Sequence, residues 1–200
     1  MTATPHRHLF DLQQLVINLA SIDRKHYLAG TDRRENDVEH SYMVALLSWF
    51  IIEKYSLPLD HATVLKYALV HDIVEVYAGD VNSYATKAAR RQKQKDEAAS
   101  LMRLTKELDD FSALTDTIRS YEERSDDEVL FVWTVDKLQA LIMGDLDVWR
   151  AYNEASISYE DFCRKNTSEI LAKASPYARE IYEGFVEYSK TTYYDKPRKV

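Results

Sequence analysis

The chain has 200 residues, 46% hydrophobic and 30% charged, which is the balance of a folded globular protein and excludes a disordered or fibrous one. Its 26 basic and 33 acidic side chains leave a net charge of −7, which argues against a surface that coats nucleic acid. Small phosphorylated ligands, held by a few local cations, stay compatible with that charge.

Four glycines and four prolines are a small share beside average usage of roughly 12%, so long helices and few tight turns are expected. The single cysteine, Cys163, forms no intrachain disulfide. Met1–Arg7 lacks the apolar core of a signal peptide, and no window approaches the ~18 apolar residues of a membrane span. These features lead us to expect one domain over residues 1–200, cytoplasmic, with neither membrane nor nucleic acid as a partner.

In chain order, the apolar spacing predicts a first helix from His8 to Ile22, then a polar loop from Asp23 to Asp37. A second helix runs from Val38 to Leu57 and stops at Pro58. Asp60 caps a third that reaches Ala78, with Gly79 as its stop. Tyr84–Leu108 reads as a long helix whose charged middle, Arg90–Glu97, is a solvated face. Phe111–Glu123 is a shorter helix, and the capping box Ser125-Asp126-Asp127-Glu128 opens an apolar one toward Trp149. Ser158 caps the next, and Ser175, followed by Pro176, caps the last. The prediction is an all-α bundle of seven or eight helices without a clear strand, with the chemistry in residues 8–150 and further helices over 151–193.

Titratable groups inside apolar stripes are the informative residues, because an unpaired buried charge is costly. His71 shares its face with Val64, Tyr67, Ala68 and Val74, and His40 lies on a line with Met43, Val44 and Leu47. Asp136 falls on the line of Val129, Val132, Ala140 and Met143. Taken singly, each is more simply a paired core residue. Together, His40, His71, Asp72 and Asp136 are the ligand types of a divalent metal site, and a metal gives the burial of both carboxylates a reason. Glu75, one helical turn from His71 and Asp72, is placed to act on a water there.

The order His40, His71-Asp72, Asp136 resembles the H…HD…D signature of the HD-domain metal-dependent phosphohydrolases. Arg33-Arg34-Glu35-Asn36-Asp37-Val38-Glu39-His40-Ser41 and His71-Asp72-Ile73-Val74-Glu75-Val76-Tyr77-Ala78-Gly79-Asp80 are similar to the 5'-deoxynucleotidase branch of that superfamily. The resemblance implies an all-α fold and one divalent ion, manganese, cobalt or a similar metal such as magnesium or zinc, on His40, His71, Asp72 and Asp136. It implies hydrolysis of deoxyribonucleoside 5'-monophosphates, with Asp72 and Glu75 catalytic, and a homodimer. Arg24 and Arg33 are the candidate phosphate-binding cations, with Arg33 favoured because it lies inside the matched block; Asp80 matches a nucleotide contact.

Two departures stand out. The branch's arginine-tryptophan pair has no clean counterpart in Arg24-Lys25-His26, and Val81-Asn82-Ser83-Tyr84 replaces a proline-containing turn. The alternatives are a deoxynucleoside triphosphate hydrolase using the same centre, with Arg33, Arg34 and Lys87 holding the extra phosphates, and a non-catalytic nucleotide-binding regulatory module.

Overall fold

A computed structural model describes residues 6–81, 84–124 and 126–195. Helix α1 (Arg7–Leu19) leads into an antiparallel ribbon of β1 (Asp23–Tyr27) and β2 (Arg34–Asn36), in which Asp23 pairs with Asn36 and Tyr27 with Arg34. Then come α2 (Asp37–Tyr55), α3 (His61–Val70), the short α4 (Glu75–Ala78), α5 (Lys87–Glu107), α6 (Ser112–Glu123) and α7 (Asp127–Leu146). The chain continues with α8 (Arg150–Glu154), α9 (Tyr159–Arg164), a π-helical turn over Lys165–Ile170, a 3-10 turn over Leu171–Lys173, and α10 (Arg179–Thr192).

Side-chain caps set most of these starts. The Asn36 side chain accepts from the Glu39 backbone amide while the Glu39 carboxylate accepts from the Asn36 amide, a reciprocal pair that fixes the entry of α2. Asp60, Thr86, Asp126 and Ser158 likewise accept from amides three residues on, at the starts of α3, α5, α7 and α9.

Helix α7 is the centre of the molecule. Val129, Phe131, Val132 and Val135 are fully covered by α2, α3 and α10, through Val44, Ile52, Val64, Ala68, Tyr182 and Val186. Full burial of one such side chain contributes roughly 1.5–3 kcal/mol. A second cluster joins Leu15 and Leu19 of α1 to Val70, Val74, Leu104 and Ile118. Among the described residues, no helix is long and apolar enough to cross a membrane.

The fold is all-α, as expected, with four local corrections; one is at α10, which starts at Arg179 behind Ala178 with no side-chain cap, so Ser175 does not cap it. The 23–37 segment holds a ribbon, because Arg34 and Arg150 lie over the Tyr27 ring and hold the β1–β2 edge against α8. The expected third helix breaks into α3 and α4 at His71–Val74, and the described residues hold more helical segments than the seven or eight expected. No glycine or proline marks that break. Finally, Asp126 and not Ser125 caps α7, since the Asp126 side chain accepts from the Val129 amide; Ser125 lies outside the described residues.

Candidate metal centre

Three elements converge on one cavity of about 260 Å³. The capping box of α2 sets His40 one turn into that helix, fully buried against α7, where Asp136 projects from a stretch of buried apolar residues. Between α3 and α4 the backbone tightens to three-residue bonds, Ile73 N–H to Val70 at 3.0 Å and Glu75 N–H to Asp72 at 2.9 Å. At three residues per turn, Asp72 and Glu75 fall on one line facing the cavity. Gly79, with φ of 73°, then turns the chain so that Asp80 joins the same wall.

His40 Nε2 lies 3.1 Å from Asp136 Oδ1 and 3.6 Å from Asp72 Oδ2, while His71 Nε2 lies 3.2 Å from Asp72 Oδ2. The two imidazole centroids are 5.1 Å apart. His71 Nδ1 donates to the Ala68 carbonyl at 2.9 Å, which turns Nε2 toward Asp72; against burial, the Asp72 charge raises the His71 pKa above its ordinary value. Behind His40, Nδ1 faces Glu35 Oε2 at 3.7 Å, and Glu35 itself accepts from Gln139 at 2.8 Å.

Carboxylates crowd this space. Arg24 reaches from β1 to Asp72 at 2.5 Å, Asp37 at 3.3 Å and Glu35 at 3.5 Å. Lys93 pairs with Glu75 and Lys137 with Asp136, each at 2.6 Å. Five carboxylates thus face three cations, and the deficit shows in their protonation. Burial pushes Glu35 up to about 7, burial with the Asp72 charge pushes Asp37 up to about 7, and the same two causes push Glu75 up to about 9. Burial and the Arg24 charge bring His40 down to about 4, so its imidazole is neutral, the form that ligates a metal. Burial favours the neutral acids of Asp72 and Asp136 as well, but His71 and Arg24 outweigh it at Asp72, and Lys137 and His40 at Asp136, so both stay ionised.

These residues fit a divalent ion. Ligand atoms of His40, His71 and Asp72 lie within 4.8 Å of one another, and His71 Nε2, Glu35 Oε2, Asp37 Oδ2 and Glu75 Oε2 are buried without a hydrogen-bond partner. Unpaired acceptors around excess negative charge are what a cation relieves. Asp136 stands beside that group, its Oδ1 3.1 Å from His40 Nε2.

Of the expected substrate residues, the structure brings Arg24 and Asp80 to the cavity and leaves Arg33 out. Arg33 is half-exposed and forks onto Glu39 at 2.5 and 2.8 Å, so it braces the α2 cap. Arg34 points away as well, to Glu154. The Lys87 side chain and residues 82–83 lie outside the described residues. Lysine 25 and His26 do line the cavity.

Glu35, Asp37, Lys93 and Lys137 were missed as site residues. Lys93 sits in the run read as solvated, yet Ser100 and Leu104, seven and eleven positions on, are buried, so helical spacing carries that inward line back to Lys93. Glu35 lies between outward neighbours on β2, a two-residue alternation too short to recognise.

The fold and this centre together define a metal-site helical domain, and the family comparison agrees. The HD domain family model matches residues 16–178, and the chain belongs to that family. A structure of a predicted metal-dependent phosphohydrolase from Magnetospirillum magnetotacticum MS-1 superposes with a TM-score of 0.78 at 23% identity, covering 98% of this chain and 100% of that one. A conserved hypothetical protein from Pyrococcus furiosus gives 0.60 at 23% identity over 89% of this chain and 99% of its own. The PH0347 protein from Pyrococcus horikoshii OT3 gives 0.60 at 22% identity, over 90% and 98%. Among curated proteins, none matches the sequence. The protein is accordingly an HD-domain protein whose buried histidine and aspartate cluster could hold a metal ion.

Proposed function

We propose that the protein removes the phosphate from deoxyribonucleoside 5'-monophosphates. The observation that carries this reading is one cavity lined by Asp72, Asp136, Glu75 and the cations Arg24, Lys93 and Lys137, with His40 and His71 set against Asp72 and Asp136 behind its wall. At about 260 Å³ the cavity lies at the small end of ligand pockets, which span roughly 300–1,000 Å³, and this supports a compact nucleotide.

A bound divalent ion supplies Lewis-acid chemistry and counter-charge at the phosphoryl group. Glu75 holds one oxygen on Lys93 and keeps Oε2 free, so it orients the attacking water and, held in its acid form, passes a proton to the leaving 5'-oxygen. Arg24, Lys93 and Lys137 hold the phosphoryl oxygens as charge grows on them. Asp80, at the rim beyond Gly79, positions the nucleoside. Glu35 steadies the His40 ring from behind.

The test is phosphate release from deoxynucleoside mono-, di- and triphosphates and ribonucleotides with manganese, cobalt or magnesium, and Asp72→Ala as control. Orthophosphate from the deoxy monophosphates is expected. Release of pyrophosphate or triphosphate overturns the monophosphate reading, and silence across the panel with metal bound overturns the enzymatic one.

We further propose a cytosolic homodimer. Tyr42, Leu46, Trp49 and Phe50 form one exposed apolar stripe on α2, each more than half exposed, which a second copy would cover. Sedimentation of the wild type and of Trp49→Glu tests it: a wild-type monomer, or an unchanged dimer in the variant, rejects that face.

A further inference from the structure

Arg90 and Lys165 line the metal-site cavity, and both also line a second cavity of about 300 Å³ on their other side. Its floor is firm. Tyr84 packs edge-on against Tyr152 at 5.8 Å, and Tyr152 belongs to the aromatic cluster of Trp149, Phe162 and Tyr193 that ties α8, α9 and the C-terminal segment to α7. The charge pattern here is unusual. Glu169, in the π-helical turn, accepts from Arg90 at 3.4 Å, from Lys165 at 3.0 Å and from Arg164, so three cations share one carboxylate. Asp161, at 3.0 Å from Arg164, is the other acid of this wall. Burial holds Lys165 below the ordinary lysine value, and Arg90 and Lys137 push it the same way against Glu169. The cluster has more positive charge than its own acids satisfy.

We propose that Arg90, Arg164 and Lys165 form an anion subsite that takes a second phosphoryl group, displacing Glu169, next to the phosphoryl group held at the metal centre. Geometry carries the idea: two cations are common to both cavities, so a ligand that reaches from one to the other passes over them. A phosphoryl dianion offers three acceptor oxygens where a carboxylate offers two, and it suits the fork of an arginine. The anion is either a second phosphoryl group of the substrate, which deepens the proposed function and rests on it, or free inorganic phosphate. Glu169 then guards the subsite, keeping the three cations in place while it is empty.

Binding is measured by calorimetry in the metal-loaded Glu75→Gln protein, which holds nucleotide without turning it over. The ligands are a deoxynucleoside 5'-monophosphate, the 5'-diphosphate and 3',5'-bisphosphate of the same nucleoside, and inorganic phosphate. A doubly phosphorylated ligand is expected to bind about 10-fold tighter than the monophosphate, a gap of about 1.4 kcal/mol. Adding Arg164→Gln removes that advantage and leaves monophosphate affinity unchanged; adding Glu169→Gln widens it. Opposite signs from two substitutions in one ion pair set a binding role apart from a structural one, which both would weaken alike.

If inorganic phosphate binds in an Arg164-dependent manner and the doubly phosphorylated nucleotides have no advantage, the occupant is the free anion. If no nucleotide binds but Arg164-dependent phosphate binding persists, the nucleotidase reading falls and the subsite stands. Equal affinities for all nucleotides, with phosphate binding indifferent to Arg164→Gln, overturn the proposal.

Discussion

Two charge clusters in this protein are inverse images. In one, Arg24 stands among three carboxylates, Glu35, Asp37 and Asp72; in the other, Glu169 stands among Arg90, Arg164 and Lys165. Burial separates their consequences. Glu35 and Asp37 are fully enclosed, so water cannot solvate the charge that Arg24 leaves unbalanced, and only protonation or a cation relieves it. The Glu169 cluster is partly open, so its pairs exchange with solvent and with dissolved anions at little cost. The closed cluster is therefore built around something that stays, and the open one around something that comes and goes.

The strongest way to break the comparison is at Asp72, which both histidines and Arg24 approach. Asp72→Ala is expected to strip the metal and bring phosphate release to background together, read by metal analysis and a phosphate assay. A variant that keeps full metal occupancy refutes the coordination described here. Glu75→Gln separates metal from chemistry: occupancy should be retained while turnover falls by about 10²–10⁴-fold, the usual contribution of a positioned acid–base group. Retained turnover would remove Glu75 from the reaction.

Arg24→Met asks what holds the closed cluster without its cation. Removing one member of a buried ion-pair network costs about 3–5 kcal/mol, because the carboxylates stay behind. In chelator, the variant should melt well below the wild type. Manganese should then recover part of the loss, since a ligand at 100 times its Kd contributes about 2.7 kcal/mol. Recovery no larger than in the wild type would mean that the ion does not share the carboxylates that Arg24 holds.

How far the sequence shows these clusters follows from what surrounds each residue. His40, His71 and Asp136 interrupt helices that are otherwise apolar, and a titratable group on such a face stands out. The same contrast made the all-α class and the main helices readable. Lys93 and Lys165 are hidden because their neighbours are polar too, and helical spacing separates an inward lysine from an outward one only after the buried line is known. Glu35 and Asp37 owe their burial to the ribbon packed against α7, where Gln139 and Arg24 meet them, a tertiary contact no local pattern announces. The break at His71–Val74 is equally silent, since a shift from four-residue to three-residue bonds needs no special residue type.

Arg33 gives the sharpest test of reading function from a motif. It lies within the matched block, two residues before buried Glu35, and a cation there reads naturally as a phosphate ligand. The structure assigns it another task. Both guanidinium nitrogens fork onto Glu39, whose carboxylate also receives the Asn36 amide at 3.2 Å, so Arg33 braces the cap that places His40. Arg24, nine residues earlier and outside the block, holds the position at Asp72 instead. Arg33→Ala should therefore leave KM for the nucleotide unchanged, and because its fork is solvent-exposed the melting temperature should move little. Glu39→Ala, which removes the brace and the reciprocal cap together, should cost about 0.5–2 kcal/mol and lower metal affinity through His40. A raised KM in Arg33→Ala, with metal occupancy intact, would return Arg33 to the phosphate and weaken the contrast between the buried cluster and the surface around it.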